Sequence, residues 1–169
     1  MPLITLQSPE TATGPTAEIF DQYRQMMGYV PSPMQLLGVS PPLLQSLAAQ
    51  VGYFFGGHQE LDGVMLAWMR YLSAQRLDCT FCIDMNAGML LQMGATPEDL
   101  ERARKDPATV PLPGKEKAML LFALDAVRNT KGVTPEAIAI LRSHGYSERA
   151  IFEGAAHAAY GLYVDTLLN

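Results

Sequence analysis

The stretch Leu61 to Gly94, LDGVMLAWMRYLSAQRLDCTFCIDMNAGMLLQMG, decides the fold. Its first half sets Leu61, Val64, Met65, Trp68 and Leu72 at helical spacing, while Leu66 and Met69 add apolar surface on a second side. The reading is a central helix over 61–75. Asp78 suits an N-cap, which makes Cys79 the first residue of the next helix and puts Cys82 three further on, with Asn86 beyond and a stop near Gly94.

Outward from there the punctuation stays helical. Thr96, Pro97 and Asp99 start one helix, and others are expected over 113–130, from Thr134 with Pro135 to His144, and from Ser147 to near residue 169. Gly145 ends the second of these by adopting a left-handed backbone. On the other side, Thr16 is read as the cap of a helix ending at Gly28, and Ser40 with Pro41 opens one that runs to Gly56 and Gly57, with Pro31 and Pro33 breaking the link between them. No segment alternates like a strand, so the fold class is all-α. Pro2, Pro9, Gly14 and Pro15 make residues 1–15 an extended N-terminal arm, and 16–169 read as a single helical domain. The last helix carries Gly154, Ala155, Ala158 and Gly161 on or near one side, which suits close approach of another helix.

At 169 residues, 49 % hydrophobic and 17 % charged, the chain has the composition of one buried core. So little charge also suggests surface hidden between subunits. The net charge is −5 and the twelve Lys and Arg are scattered, so no basic stripe is available for nucleic acid or an anionic membrane. No signal peptide or membrane span is read, and the expected location is cytoplasmic. There a cysteine pair is more often reduced, catalytic or metal-bound than a permanent staple.

Two thiols at this spacing serve metal binding, electron exchange or core packing. Helical neighbours three apart have Cβ atoms roughly 5–6 Å apart, and modest adjustment closes a disulfide. The helix end favours a thiolate by ~0.3 to 1 kcal/mol, or ~2 where partly buried, and one pKa unit takes about 1.4. That supplies about one unit toward activating a thiol whose ordinary pKa is about 8.5, and Asp78 and Asp84 oppose it. A fast peroxidase needs a further base or cation. Metal finds poor support: His58, His144 and His157 are the only histidines, none lies at ligand spacing from another, and no second C-x-x-C exists. Neither a metal nor another cofactor is expected.

The cysteine block resembles that of the carboxymuconolactone decarboxylase family, within it the alkylhydroperoxidase D-like (AhpD-like) branch. The similarity extends over roughly 43–168. It includes the later segment GKEKAMLLFALDAVRNTKGVTPEAIAILRSHGYSERAIFEGAAHAAYGLY and the Gly145-Tyr146-Ser147 turn. The resemblance implies an all-helical fold assembled as trimers or hexamers, with a dithiol that reduces hydroperoxides and is recharged by a dithiol reductant or reducing protein. It also implies a proton relay from a Glu twelve residues before the first Cys and a His four after the second. Those positions here hold Ala67 and Asn86, neither of which accepts a proton at neutral pH.

Cys79 and Cys82 are therefore the catalytic candidates, the resemblance implying that Cys82 attacks and Cys79 resolves. Asn86, Arg70, Tyr71 and His157 are possible accessories. Asn86 faces the sulfurs or ties helix ends; Arg70 stabilises a thiolate or is a solvated charge; Tyr71 approaches the same pocket or is a core ring with its hydroxyl at the edge; His157 is catalytic or a satisfied packing residue. The expected function is thiol-dependent reduction of a peroxide or disulfide by a homo-oligomer. The alternatives are a lyase or isomerase on a small lactone, with His58, Glu60 or His157 as acid–base groups, and a non-catalytic helical oligomer that has lost its relay.

Overall fold

Proline placement shapes the first helices. In the computed structural model, which describes residues 4–56 and 60–168, Pro15 lies in the first turn of α1 (Gly14–Met27), where its missing N–H breaks no helical bond. The helix thus starts before Thr16, which is buried and does not cap; extended Thr13 takes the N-cap position. Gly28, at φ 80°, ends the helix by donating its N–H to the Arg24 carbonyl. Pro31 and Pro33 do not break the following link. They sit at the N-cap and in the first turn of a short helix, α2 (Ser32–Leu37), positions that need no proline N–H. Ser40 precedes α3 (Pro41–Phe55) as the sequence indicates. A Cβ on Gly38 would stand 2.7 Å from the Phe20 ring, so this position requires glycine. These helices belong to the first of two compact units, Met1–Gly57 and His58–Asn169.

The second unit is built around α4 (Gly63–Leu77), whose N-cap Asp62 accepts from the Met65 N–H at 2.9 Å. Met65 through Met69 are all essentially buried, as expected of a helix apolar on more than one side. Around it pack α5 (Thr80–Gln92), α7 (Gly114–Arg128) and α9 (Glu148–Leu168), with α6 (Pro97–Lys105) and α8 (Pro135–Ser143) outside. Thr96 and Asp99 form a reciprocal capping box at α6, and Thr134 caps α8. Glu60 receives both the N–H and the hydroxyl of Ser147 at the head of α9. Short 3-10 turns occupy Pro107–Thr109 and Thr130–Gly132. No strand occurs among the described residues, and no helix among them is long and apolar enough to cross a membrane.

The buried stripe of α9 consists of Ala150, Ile151, Gly154, His157, Ala158, Gly161 and Asp165. Ser73 of α4 lies opposite Gly161, as Arg70 lies opposite His157, so the two helices run in the same direction.

Candidate active site

Two residues, Asp78 and Cys79, join α4 to α5. Asp78 adopts a left-handed backbone, φ 54°, and its N–H bonds back to the Ala74 and Gln75 carbonyls. The Cys79 N–H reaches the Ala74 carbonyl at 3.3 Å, which completes a Schellman-type closure with aspartate where glycine is usual. Asp78 is therefore the end of α4 and not the N-cap of α5. A left-handed residue cannot supply the extended conformation an N-cap needs, and that place falls to Cys79. Cys82 becomes the third helical residue. N-cap and third positions face each other across the first turn, and the two sulfurs are joined in a disulfide with Cα atoms 5.3 Å apart.

The pair lies against Ala74, the residue that accepts the Schellman bond, and Phe81, Ile83 and Leu168 pack on this cluster. Cys79 is 1 % and Cys82 2 % exposed, so the oxidised site is covered. The amides of the first turn of α5 have no acceptor within the helix, and the dipole places partial positive charge beside the sulfurs.

Asn86 is buried on the same face. Its Nδ2 donates to the Cys82 carbonyl at 2.8 Å and its Oδ1 accepts from Arg70 Nε at 3.0 Å, so its amide is engaged with backbone and guanidinium. Arg70 is correspondingly not a solvated charge. Burial lowers it to about 10, which leaves it protonated at neutral pH, and its Nη1 stands 3.4 Å from His157 Nε2. Because a guanidinium can only donate, that ring nitrogen accepts. Burial first and the Arg70 charge second pull His157 down to about 3, against a smaller opposing contribution from the Leu66 backbone. The result is a neutral imidazole in a chain from Asn86 through Arg70 to His157. Tyr71 does not join it. Its ring meets Trp68 edge-on at 5.9 Å, and its hydroxyl, raised mainly by burial, also feels Arg104, Gln75 and Glu101. Of the lyase candidates, Glu60 caps α9, and His58 lies outside the described residues.

A residue that sequence reasoning passed over completes the site. Asp165 of α9 is 4 % exposed, and a carboxylate oxygen and the two sulfurs all lie within 4.8 Å of one another. Burial raises its pKa to about 7. The signal was present: Asp165 continues the Gly154, Ala158, Gly161 stripe by one more turn, and an acid on a core-facing stripe is unusual. The three donor atoms lie close enough together to share a metal ion, but two of them are spent on the disulfide. A cleft lined by Phe122, Val133, Ile140 and Leu141, between α7 and α8, includes none of these residues.

No protein-family model and no curated protein matches the sequence. Solved structures do. One is from Ralstonia eutropha JMP134, described as an alkylhydroperoxidase AhpD core and uncharacterized peroxidase-related protein; it is 16 % identical, with a TM-score of 0.86 over 97 % of this chain and 86 % of that one. Another, an uncharacterized peroxidase-related protein from Silicibacter sp. TM1040, is 19 % identical, with a TM-score of 0.80 over 98 % of this chain and 84 % of that one. Nearly the whole length of the chain thus has the all-helical fold of the alkylhydroperoxidase AhpD core.

Proposed function

We propose that the chain is a thiol-dependent oxidoreductase in which Cys79 and Cys82 cycle between dithiol and disulfide while reducing a hydroperoxide. The observation that carries this reading is the bonded pair at the head of α5, where the helix end favours a thiolate once the bond is opened. The description of both similar structures as peroxidase-related supports the same chemistry. One thiolate attacks the peroxide O–O bond, forming S–O and releasing an alcohol. The second sulfur displaces hydroxide from the sulfenic acid, forming S–S and releasing water. The dithiol loses two electrons to the peroxide, and a dithiol reductant or reducing protein restores them. Cys82 is the attacker and Cys79 the resolver in this scheme, within a cytoplasmic homo-oligomer.

The test counts free thiols in the reduced protein before and after hydrogen peroxide or an organic hydroperoxide. Two thiols should vanish rapidly and return with a dithiol reductant. Cys79→Ser should instead accumulate a sulfenic acid on Cys82 that dimedone traps, and Cys82→Ser should be inert. Oxidation no faster than that of an ordinary exposed thiol would overturn the reading.

A further inference from the structure

We propose that Asp165 is the proton carrier of the dithiol, taking over from α9 the work for which Ala67 and Asn86 are unsuited. The proposal rests on the redox reading above, and its geometry is independent of the resemblance. The carboxylate is sealed within 4.8 Å of both sulfurs, and its Oδ2 has no hydrogen-bond partner among the described residues. A buried polar atom left in that state is costly, and a disulfide offers only weak acceptors to meet it. Reduction changes this: it frees a thiol donor and a thiolate acceptor within 4.8 Å of the carboxyl group, partners that the disulfide does not offer.

The surroundings leave the carboxyl to the sulfurs. From α5 it faces Cys79 and Cys82; on α4 Arg70 is engaged by Asn86 and His157, and Arg76 donates to the Val127 carbonyl of α7. Burial is the cause of its shift, with no charge on α4, α5, α7 or α8 contributing. A carboxyl near 7 is present in both forms at neutral pH, the condition in which general acid–base transfer is most effective.

The carboxylate takes the proton of the attacking thiol. The thiolate forms S–O as O–O breaks, and the carboxylic acid returns that proton to the departing alkoxide, giving the alcohol. The regenerated carboxylate accepts the proton of the resolving thiol and delivers it to hydroxide as S–S forms and S–O breaks. One hydroperoxide and two thiols thus become one alcohol, one water and one disulfide.

Alkylation of the reduced protein by iodoacetamide across a pH series tests this without any peroxide. The wild type should show a second inflection, from the carboxyl group, in addition to that of the thiol, and Asp165→Asn should lose it. With an organic hydroperoxide, Asp165→Asn should lose thiols about a hundredfold more slowly. Superimposable alkylation profiles would overturn the assignment, even if both proteins consume peroxide at one rate. Profiles that differ while neither protein consumes peroxide would uphold the Asp165–thiol coupling and remove the peroxidase reading instead. Should Asp165→Asn fail to fold, the wild-type profile decides: a single inflection at the ordinary thiol value overturns the proposal.

Discussion

His157 and Asp165 share the buried stripe of α9, and the same burial shifts them in opposite directions. His157 is held neutral down to about 3, so its contribution to stability is full above its unfolded value near 6.5 and is lost as the pH falls. Asp165 is held protonated up to about 7, so its contribution is full below its unfolded value near 3.8 and is lost as the pH rises. At most, the His157 shift is worth about 5 kcal/mol and the Asp165 shift about 4. Between these limits the two slopes oppose. Relative to wild type, Asp165→Asn should therefore gain stability as the pH rises from about 4 to 6.5, and His157→Gln should lose it, as denaturant titrations of the oxidised protein would measure. Equal slopes in all three proteins would refute the shifts. The relay positions Ala67 and Asn86 came from the resemblance, and the Cys79–Cys82 spacing was legible in the sequence. Asp165 was not, because its meaning depends on which turn of α9 meets α5, a fact of packing that no local pattern carries.

At the scale of elements, the packing of α9 can be probed through its glycines, Gly161 against α4 and Gly154 against α7. A Cβ on Gly161 meets Ser73 at 3.6 Å, an ordinary contact, so Gly161→Ala should raise stability by up to about 1 kcal/mol through helix propensity. A Cβ on Gly154 comes within 2.6 Å of the Met119 sulfur in a fully buried position, and Gly154→Ala should cost about 1 to 3 kcal/mol. Thermal melts of the two variants would move in opposite directions. Leu168 packs on the cluster of Ala74, Cys79 and Cys82, and Leu168→Ala should speed reduction of the disulfide by a small dithiol, read as the rate of thiol appearance. Most helices were legible from caps and prolines. The errors fell where one residue type fits two roles: Asp78, equally suited to an N-cap or a left-handed end, and the prolines of α1 and α2, which break a helix interior but open a first turn.

For the molecule as a whole, the all-α class followed from helical spacing and the absence of strand alternation, and the similar structures have that fold. What the disulfide does for the whole is small. It spans three positions, and closing so short a loop removes about 2 kcal/mol of unfolded-state entropy at most. Reduced and oxidised protein should therefore unfold within about that interval in urea, a behaviour suited to a bond that is made and broken in use. The two-residue link between α4 and α5 bears on how the bond is reached. Any swing of α5 against α4 must turn about Asp78 and Cys79, so one of the cysteines is itself part of the pivot. Atoms at a pivot travel least while the far end of the lever travels most, so such a swing would sweep Gln92 widely and barely shift the sulfurs. Uncovering them falls to the side chains of Phe81, Ile83 and Leu168, movements of a rotamer rather than of a helix.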